Sequence, residues 1–172
     1  MTAYVALLRA VNVGGTGKLP MAKLKSIAAD LGFGNPRTFI ASGNLVFTSP
    51  KSEAAVQRAL AQALETQMGK PVGILVRTAK EMAAVAEANP FKDAPPNRVL
   101  ATFLAGKPPK DALDHVRGRK DERIALGNRE IYIDYGEQGA GRSKLRIPAA
   151  AAGTARNMNS VAKLAEMAKE LT

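Results

Sequence analysis

The chain has 172 residues, 46% of them hydrophobic, and no cysteine. That is enough for one large domain or two small ones without a covalent staple. The missing cysteines exclude disulfides, thiolate metal sites and cysteine nucleophiles together. Its 25 Lys and Arg against 15 Asp and Glu give a net charge of +10, which favours anionic partners and carries no information about fold.

Tyr4–Val11 is an apolar run broken only by Arg9, the pattern of a strand buried on both faces. The opening segment lacks the basic leader and cleavage site of a secretory signal. The run is also far shorter than the roughly 20 residues a membrane-spanning helix needs. The expected location is therefore the cytoplasm, with no membrane partner. A glycine loop, residues 12–17, follows. Pro20 then opens a helix, where its missing N–H is harmless, and Met21, Leu24, Ile27 and Leu31 recur at helical spacing before Gly32 stops it.

Arg37–Ala41 and Leu45–Phe47 read as strands joined by the turn Ser42-Gly43-Asn44. Ser49-Pro50 opens a second helix with the stripe Val56, Leu60, Leu64 and Met68, and Val72–Arg77 is the next strand. Strand, helix, strand, strand, helix, strand is the ferredoxin-like order. Thr78 and Glu81 form a capping box for a short connecting helix through Ala88. Asn89-Pro90 ends that helix, which sets one subdomain at 1–89 and the other at 90–172.

The second half repeats the theme. Val99–Leu104 is a strand, Pro108–Arg117 a short helix, and Arg123–Leu126 with Ile131–Tyr135 a hairpin turned at Gly127-Asn128. Ile131, Ile133 and Tyr135 alternate with Glu130, Tyr132 and Asp134, so one face of that strand is expected to be wet. The closing strand is not legible, and Ala149–Ala152 reads as part of a short helix. Asn157 or Asn159 caps a final helix with the stripe Val161, Leu164, Ala168 and Leu171. The fold class is α+β: two ferredoxin-like, α/β-plait subdomains and a C-terminal helix.

Five strings carry a resemblance: Leu7-Leu8-Arg9-Ala10-Val11-Asn12-Val13-Gly14-Gly15, Ser42-Gly43-Asn44-Leu45-Val46-Phe47, Asn89-Pro90-Phe91, Gly141-Arg142-Ser143-Lys144-Leu145, and Thr154-Ala155-Arg156-Asn157. In this order and spacing the chain resembles, over essentially its whole length, a bacterial family catalogued as domain of unknown function 1697. The resemblance implies paired α/β-plait subdomains and brings no activity and no catalytic residue with it. The chain differs from the usual family pattern at Met158, where tryptophan is frequent, and in a short, alanine-rich stretch between Leu145 and Thr154.

The chemistry legible in the residues is anion binding. Gly14-Gly15-Thr16-Gly17-Lys18 lies between a strand and a helix, where backbone N–H groups hold phosphate. Asn12 and Leu19 break the Walker pattern, however, and the G-x-G-x-x-G pattern fails as well. Residues 1–29 and 138–165 contain no acid but hold Arg9, Lys18, Lys23 and Lys25, then Arg142, Lys144, Arg146, Arg156 and Lys163. Arginine suits phosphate because its planar fork binds two oxygens. Arg9, interrupting an apolar strand, needs either an anion or a carboxylate.

The anion-binding candidates are thus Arg9, Asn12, Gly14, Gly15, Lys18, Asn44, Arg142, Ser143, Lys144, Arg156 and Asn157. The one histidine, His115, shares a helix face with Asp111 and reads as a surface residue. No metal cluster, cofactor motif, serine elbow or acid–base couple is present in the sequence. Three readings stay open. The first is nucleic acid held by its phosphates. The second is a phosphorylated or carboxylated metabolite bound, or acted on, between the halves. The third is a protein-interaction scaffold. Whether the protein is an enzyme, and its oligomeric state, are beyond the sequence.

Overall fold

A computed structural model describes residues 1–13 and 17–172. The chain divides into two compact units, Met1–Ala83 with Lys163–Thr172, and Ala84–Ala162.

In the first unit, β1 (Thr2–Leu8), α1 (Met21–Asp30), β2 (Gly34–Thr38), β3 (Asn44–Ser49), α2 (Glu53–Met68) and β4 (Ile74–Thr78) follow one another. The strands form an antiparallel sheet in the order β2-β3-β1-β4, which is the ferredoxin-like plait. Ser52, rather than Ser49, caps α2, its Oγ accepting the Ala55 N–H at 3.2 Å. Gly69, at φ 74°, ends the helix in the left-handed region that glycine reaches without strain. Leu24, Ile27 and Ala28 of α1 and Val56, Leu60 and Leu64 of α2 bury their stripes against Tyr4, Ala6, Leu8, Leu45, Phe47, Ile74 and Val76 of the sheet. Phe47 is fully buried, stacked on Phe33 at 4.3 Å and tilted against Tyr4 at 5.8 Å.

β4 runs directly into α3 (Ala79–Glu87). The capping box forms as expected: the Glu81 N–H donates to Thr78 Oγ1, and the Thr78 N–H donates to Glu81 Oε1, both at 3.1 Å.

The second unit holds β5 (Val99–Phe103), β6 (Arg123–Leu126), β7 (Glu130–Asp134) and β8 (Thr154–Asn157), ordered β6-β7-β5-β8 and antiparallel throughout. That is the same order as in the first sheet, so the closing strand that the sequence hid is Thr154–Asn157. β8 runs directly into α4 (Met158–Lys169), just as β4 runs into α3. Asn157 is the cap, its Oδ1 accepting the Ser160 N–H at 2.9 Å.

Three expectations change. The stretch Pro108–Arg117 holds only a short 3-10 helix at Ala112–His115, because Pro108, Pro109 and Gly118 bracket too few residues for an α-helix to nucleate. The hairpin turns at Asn128 and Arg129, since Gly127 still bonds to Glu130. No face of β7 is wet: Glu130, Tyr132 and Asp134 are as buried as Ile131 and Ile133. Their polar atoms are satisfied internally, as burial requires. Glu130 accepts the Arg129 N–H, Asp134 accepts from Arg123 and from the Gly136 N–H, and the Tyr132 hydroxyl donates to the Val85 carbonyl. Among the described residues no helix is long and apolar enough to cross a membrane.

Replacing Phe47 with alanine removes a fully buried ring from the first core, and is expected to destabilise the protein by about 3–5 kcal/mol. Urea unfolding measures this. A loss below about 1 kcal/mol would mean that the ring is not tightly packed.

Candidate functional site

The two sheets are covered differently. In the first unit the crossovers are α-helices. In the second they are residues 104–122 and 135–153, which carry Gly106, Pro108, Pro109 and Gly118, then Gly136, Gly139, Gly141, Pro148 and Gly153. These residues break helices, and only 3-10 turns form there, at Ala112–His115, Ala140–Arg142 and Pro148–Ala150. Leu104, Leu145 and Ile147 pack on Ile131 and Ile133, with Val116, Ile124, Leu126 and Tyr135 around them. Irregular chain fills the sheet face less completely than two helices would, and an open cavity of about 620 Å³ is left.

Thr102, Ile133 and Ala155 form the cavity floor, and Leu145, Ile147, Pro148, Ala150, Ala151 and Gly153 the wall. Arg117, Arg146 and Tyr135 complete the lining. The floor residues share one sheet face: Thr102 lies opposite both Ala155 and Ile131, and Ile133 is two residues beyond Ile131.

Arg117 and Arg146 are held together by backbone. The Arg117 N–H donates to the Arg146 carbonyl at 2.9 Å, and the Arg146 N–H donates back to the Arg117 carbonyl at 2.8 Å. Such a two-bond antiparallel pair sets the two side chains directly opposite each other on one side of the ladder. Both arginines are exposed, and among the described residues neither makes an ion pair. The Arg146 Nη1 donates to the Leu145 carbonyl at 2.9 Å, which fixes its guanidinium. Gly118 makes this approach possible. Its φ is +69°, and a Cβ there would stand 2.2 Å from the Lys144 carbonyl oxygen.

One buried carboxylate ties the crossovers down. Glu122 is 2% exposed. It accepts the Lys120 N–H at 2.6 Å, the Gln138 amide at 3.3 Å and the Ser143 hydroxyl. The Arg119 Nε donates to its backbone carbonyl at 2.9 Å. The Ser143 hydrogen bond, then the Lys120 amide, hold its carboxyl below the usual 4.5. Tyr135 lies within electrostatic reach of both ends of this arrangement. Burial, then the Glu122 charge, push its phenol up, while Arg146 opposes them.

Ser143 is in this region, but its hydroxyl is spent on Glu122 and on the Leu145 N–H. Arg142 and Lys144 are exposed on the same segment and do not line the cavity. Arg156 is 6% exposed and on the opposite sheet face, level with Ala101. It donates to Thr154 Oγ1 and the Ala155 carbonyl, and burial lowers its pKa to about 10. Asn157 is a helix cap.

In the first unit Arg9 lies just past the end of β1 and is exposed, so it does not interrupt a buried strand. It lines a small cavity of about 170 Å³ with Lys70 and Gly73. Asn12, at φ 57°, is a bracket: its amide donates to the Leu19 and Ala41 carbonyls, and its Oδ1 accepts the Leu19 N–H at 2.6 Å. Asn44 is fully buried and donates to the Phe39 carbonyl and Ser42 Oγ. Lys18 is exposed. Gly14 and Gly15 lie outside the described residues. His115 is a surface residue paired with Asp111 at 3.2 Å. Among the described residues no cluster of His, Asp or Glu could hold a metal ion.

Sequence reasoning missed Arg117 and Tyr135. For Arg146, already noted in the acid-free segment, the alternation in Lys144-Leu145-Arg146-Ile147 marks a short extended segment with the arginine exposed.

The depressed Glu122 pKa makes stability depend on pH in a definite direction. The unfolded carboxyl takes up its proton first as pH falls, so this contribution is complete above about 4.5 and is lost as pH drops through the lower, folded value. Glu122→Gln is therefore expected to flatten the fall in urea midpoint between about pH 5 and about pH 3. Parallel curves for variant and wild type would show that Glu122 is not linked to folding.

No curated protein matches the chain. A conserved bacterial protein from Streptococcus pneumoniae has a similar solved structure, with a TM-score of 0.79 and 24% identity, covering 97% of this chain and 98% of that one. At that identity the likeness extends to the fold alone. The family model for "Protein of unknown function (DUF1697)" matches residues 1–132, and the chain belongs to that family.

Proposed function

We propose that the second unit binds a small amphipathic anion, with its apolar body in the cavity and its charge on Arg117 and Arg146. One observation carries this reading: two exposed arginines, held side by side by backbone bonds and without a carboxylate partner, stand at an open apolar cavity. A volume of about 620 Å³ is within the usual range for small-molecule sites, which pair apolar walls with a few fixed polar groups. The second unit alone supplies every lining residue.

Nucleic acid is the competing reading. The +10 net charge and the exposed Arg142 and Lys144 favour it. Against it, single-strand readers stack bases on aromatic platforms, and Tyr135 is the one aromatic residue in this lining.

The test uses anilinonaphthalene sulfonate, a fluorescent amphipathic anion. It is expected to bind the folded protein at one site, and Arg117→Ala/Arg146→Ala is expected to weaken it about 10-fold or more, as expected for lost charge-assisted hydrogen bonds. Ala155→Phe, which fills the floor from an exposed position, should weaken it without unfolding the protein. Binding indifferent to both variants overturns the proposal. Displacement of the dye by mixed oligonucleotides, steeply dependent on salt, would instead favour nucleic acid.

A further inference from the structure

Resting on that reading, we infer that the ligand is an aliphatic monocarboxylate, such as a medium-chain acyl acid, rather than a phosphate ester or an aromatic anion. Phosphate sites use clusters of free backbone N–H groups because a phosphate monoester brings three oxygens and close to two charges. Around this cavity most backbone donors are spent. The N–H groups of Arg117 and Arg146 each donate to the other residue's carbonyl, and those of Ala150, Ala151 and Gly153 donate to the carbonyls of Ile147, Pro148 and Ala150. The Leu145 N–H bonds to Ser143, and Pro148 has none. The 3-10 turn at Pro148–Ala150 is too short to offer a helix terminus. What remains is the guanidinium pair, the Tyr135 phenol, whose pKa burial raises, and the single hydroxyl of Thr102 on the buried floor. A carboxylate has two coplanar oxygens and one charge, and a guanidinium fork satisfies it in the plane.

The walls select the body of the ligand. Ile133, Leu145, Ile147, Pro148, Ala150 and Ala151 are aliphatic. They offer area for burying methylene groups, and no aromatic platform apart from the Tyr135 edge. Charge and apolar surface are also adjacent in sequence: Arg146 lies between Leu145 and Ile147, whose side chains turn inward while its own turns out. A ligand that reaches the guanidinium with its head has these two side chains beside its tail.

The test is displacement of the bound dye by octanoate, octyl phosphate, octanol and butyrate on the full chain, in wild type and in Arg117→Ala/Arg146→Ala. Octanoate is expected to bind at least about 10-fold more tightly than octyl phosphate, and more tightly than butyrate by up to about fourfold per buried methylene. Its advantage over octanol should vanish in the arginine variant. Octyl phosphate binding as tightly as octanoate, or better, overturns the carboxylate assignment while the anion site stands. Arginine-dependent dye binding that no octyl compound displaces overturns the aliphatic assignment, again leaving the anion site. Octanol competing as well as octanoate, or no arginine dependence at all, removes both.

Discussion

A sheet that is apolar on both faces must be covered on both, and how its crossovers meet that demand decides the character of each unit. β1 and β3 are buried over almost their whole lengths, and so are β5 and β7. In the first unit the crossovers contain good helix formers with regular apolar stripes, and α1 and α2 cover the face. In the second, glycine and proline occur too often for a helix, and the same topological position is filled by extended chain and 3-10 turns. Helices fill space efficiently and irregular chain does not. The cavity on the second sheet is the physical consequence.

Irregular chain also needs a means of staying put, because it lacks a helix's internal hydrogen bonds. Glu122 provides one. It gathers donors from both crossovers, the Lys120 N–H on one side and Gln138 and Ser143 on the other. The Arg117–Arg146 bridge links the same two segments through backbone alone. A buried carboxylate is stable only when such donors surround it, so charge burial and loop order depend on each other here. In the first unit Asn12 plays a comparable part with a neutral side chain, joining the ends of its loop to the Ala41 carbonyl.

Much of the first unit was legible in the sequence because its signals are local: helical stripes, the Thr78–Glu81 box and the glycine stop at Gly32 are each decided within a few residues. The second unit was harder for a physical reason. Thr154–Asn157 is a strand because Thr102 and Leu100 lie beside it, and nothing in Thr-Ala-Arg-Asn alone distinguishes it from a loop. The burial of Glu130 and Asp134 likewise depends on partners such as Arg123, which is near in space but across the hairpin. The acid-free segment 138–165 does meet a carboxylate, but one that lies outside it: Ser143 meets Glu122, 21 residues away. Of the candidates that looked most polar in sequence, Asn12, Asn44, Ser143 and Asn157 all proved to be spent on the fold.

What the fold does not account for is more informative. The bonds that join Arg117 to Arg146 are between backbone atoms, so the bridge would form with almost any pair of side chains. Two like charges directly opposite on a ladder repel each other and reduce its stability. Gly118, shaped to let that bridge close, supports the backbone and leaves the choice of arginine open. Positions where local choice opposes stability are where function is expected to have set the residue. At this bridge the opposing choice is made twice, on two segments 29 positions apart, and both side chains arrive beside the same apolar cavity. A bound anion would turn the repulsion between them into a shared attraction, so binding and the order of these two crossovers would strengthen each other.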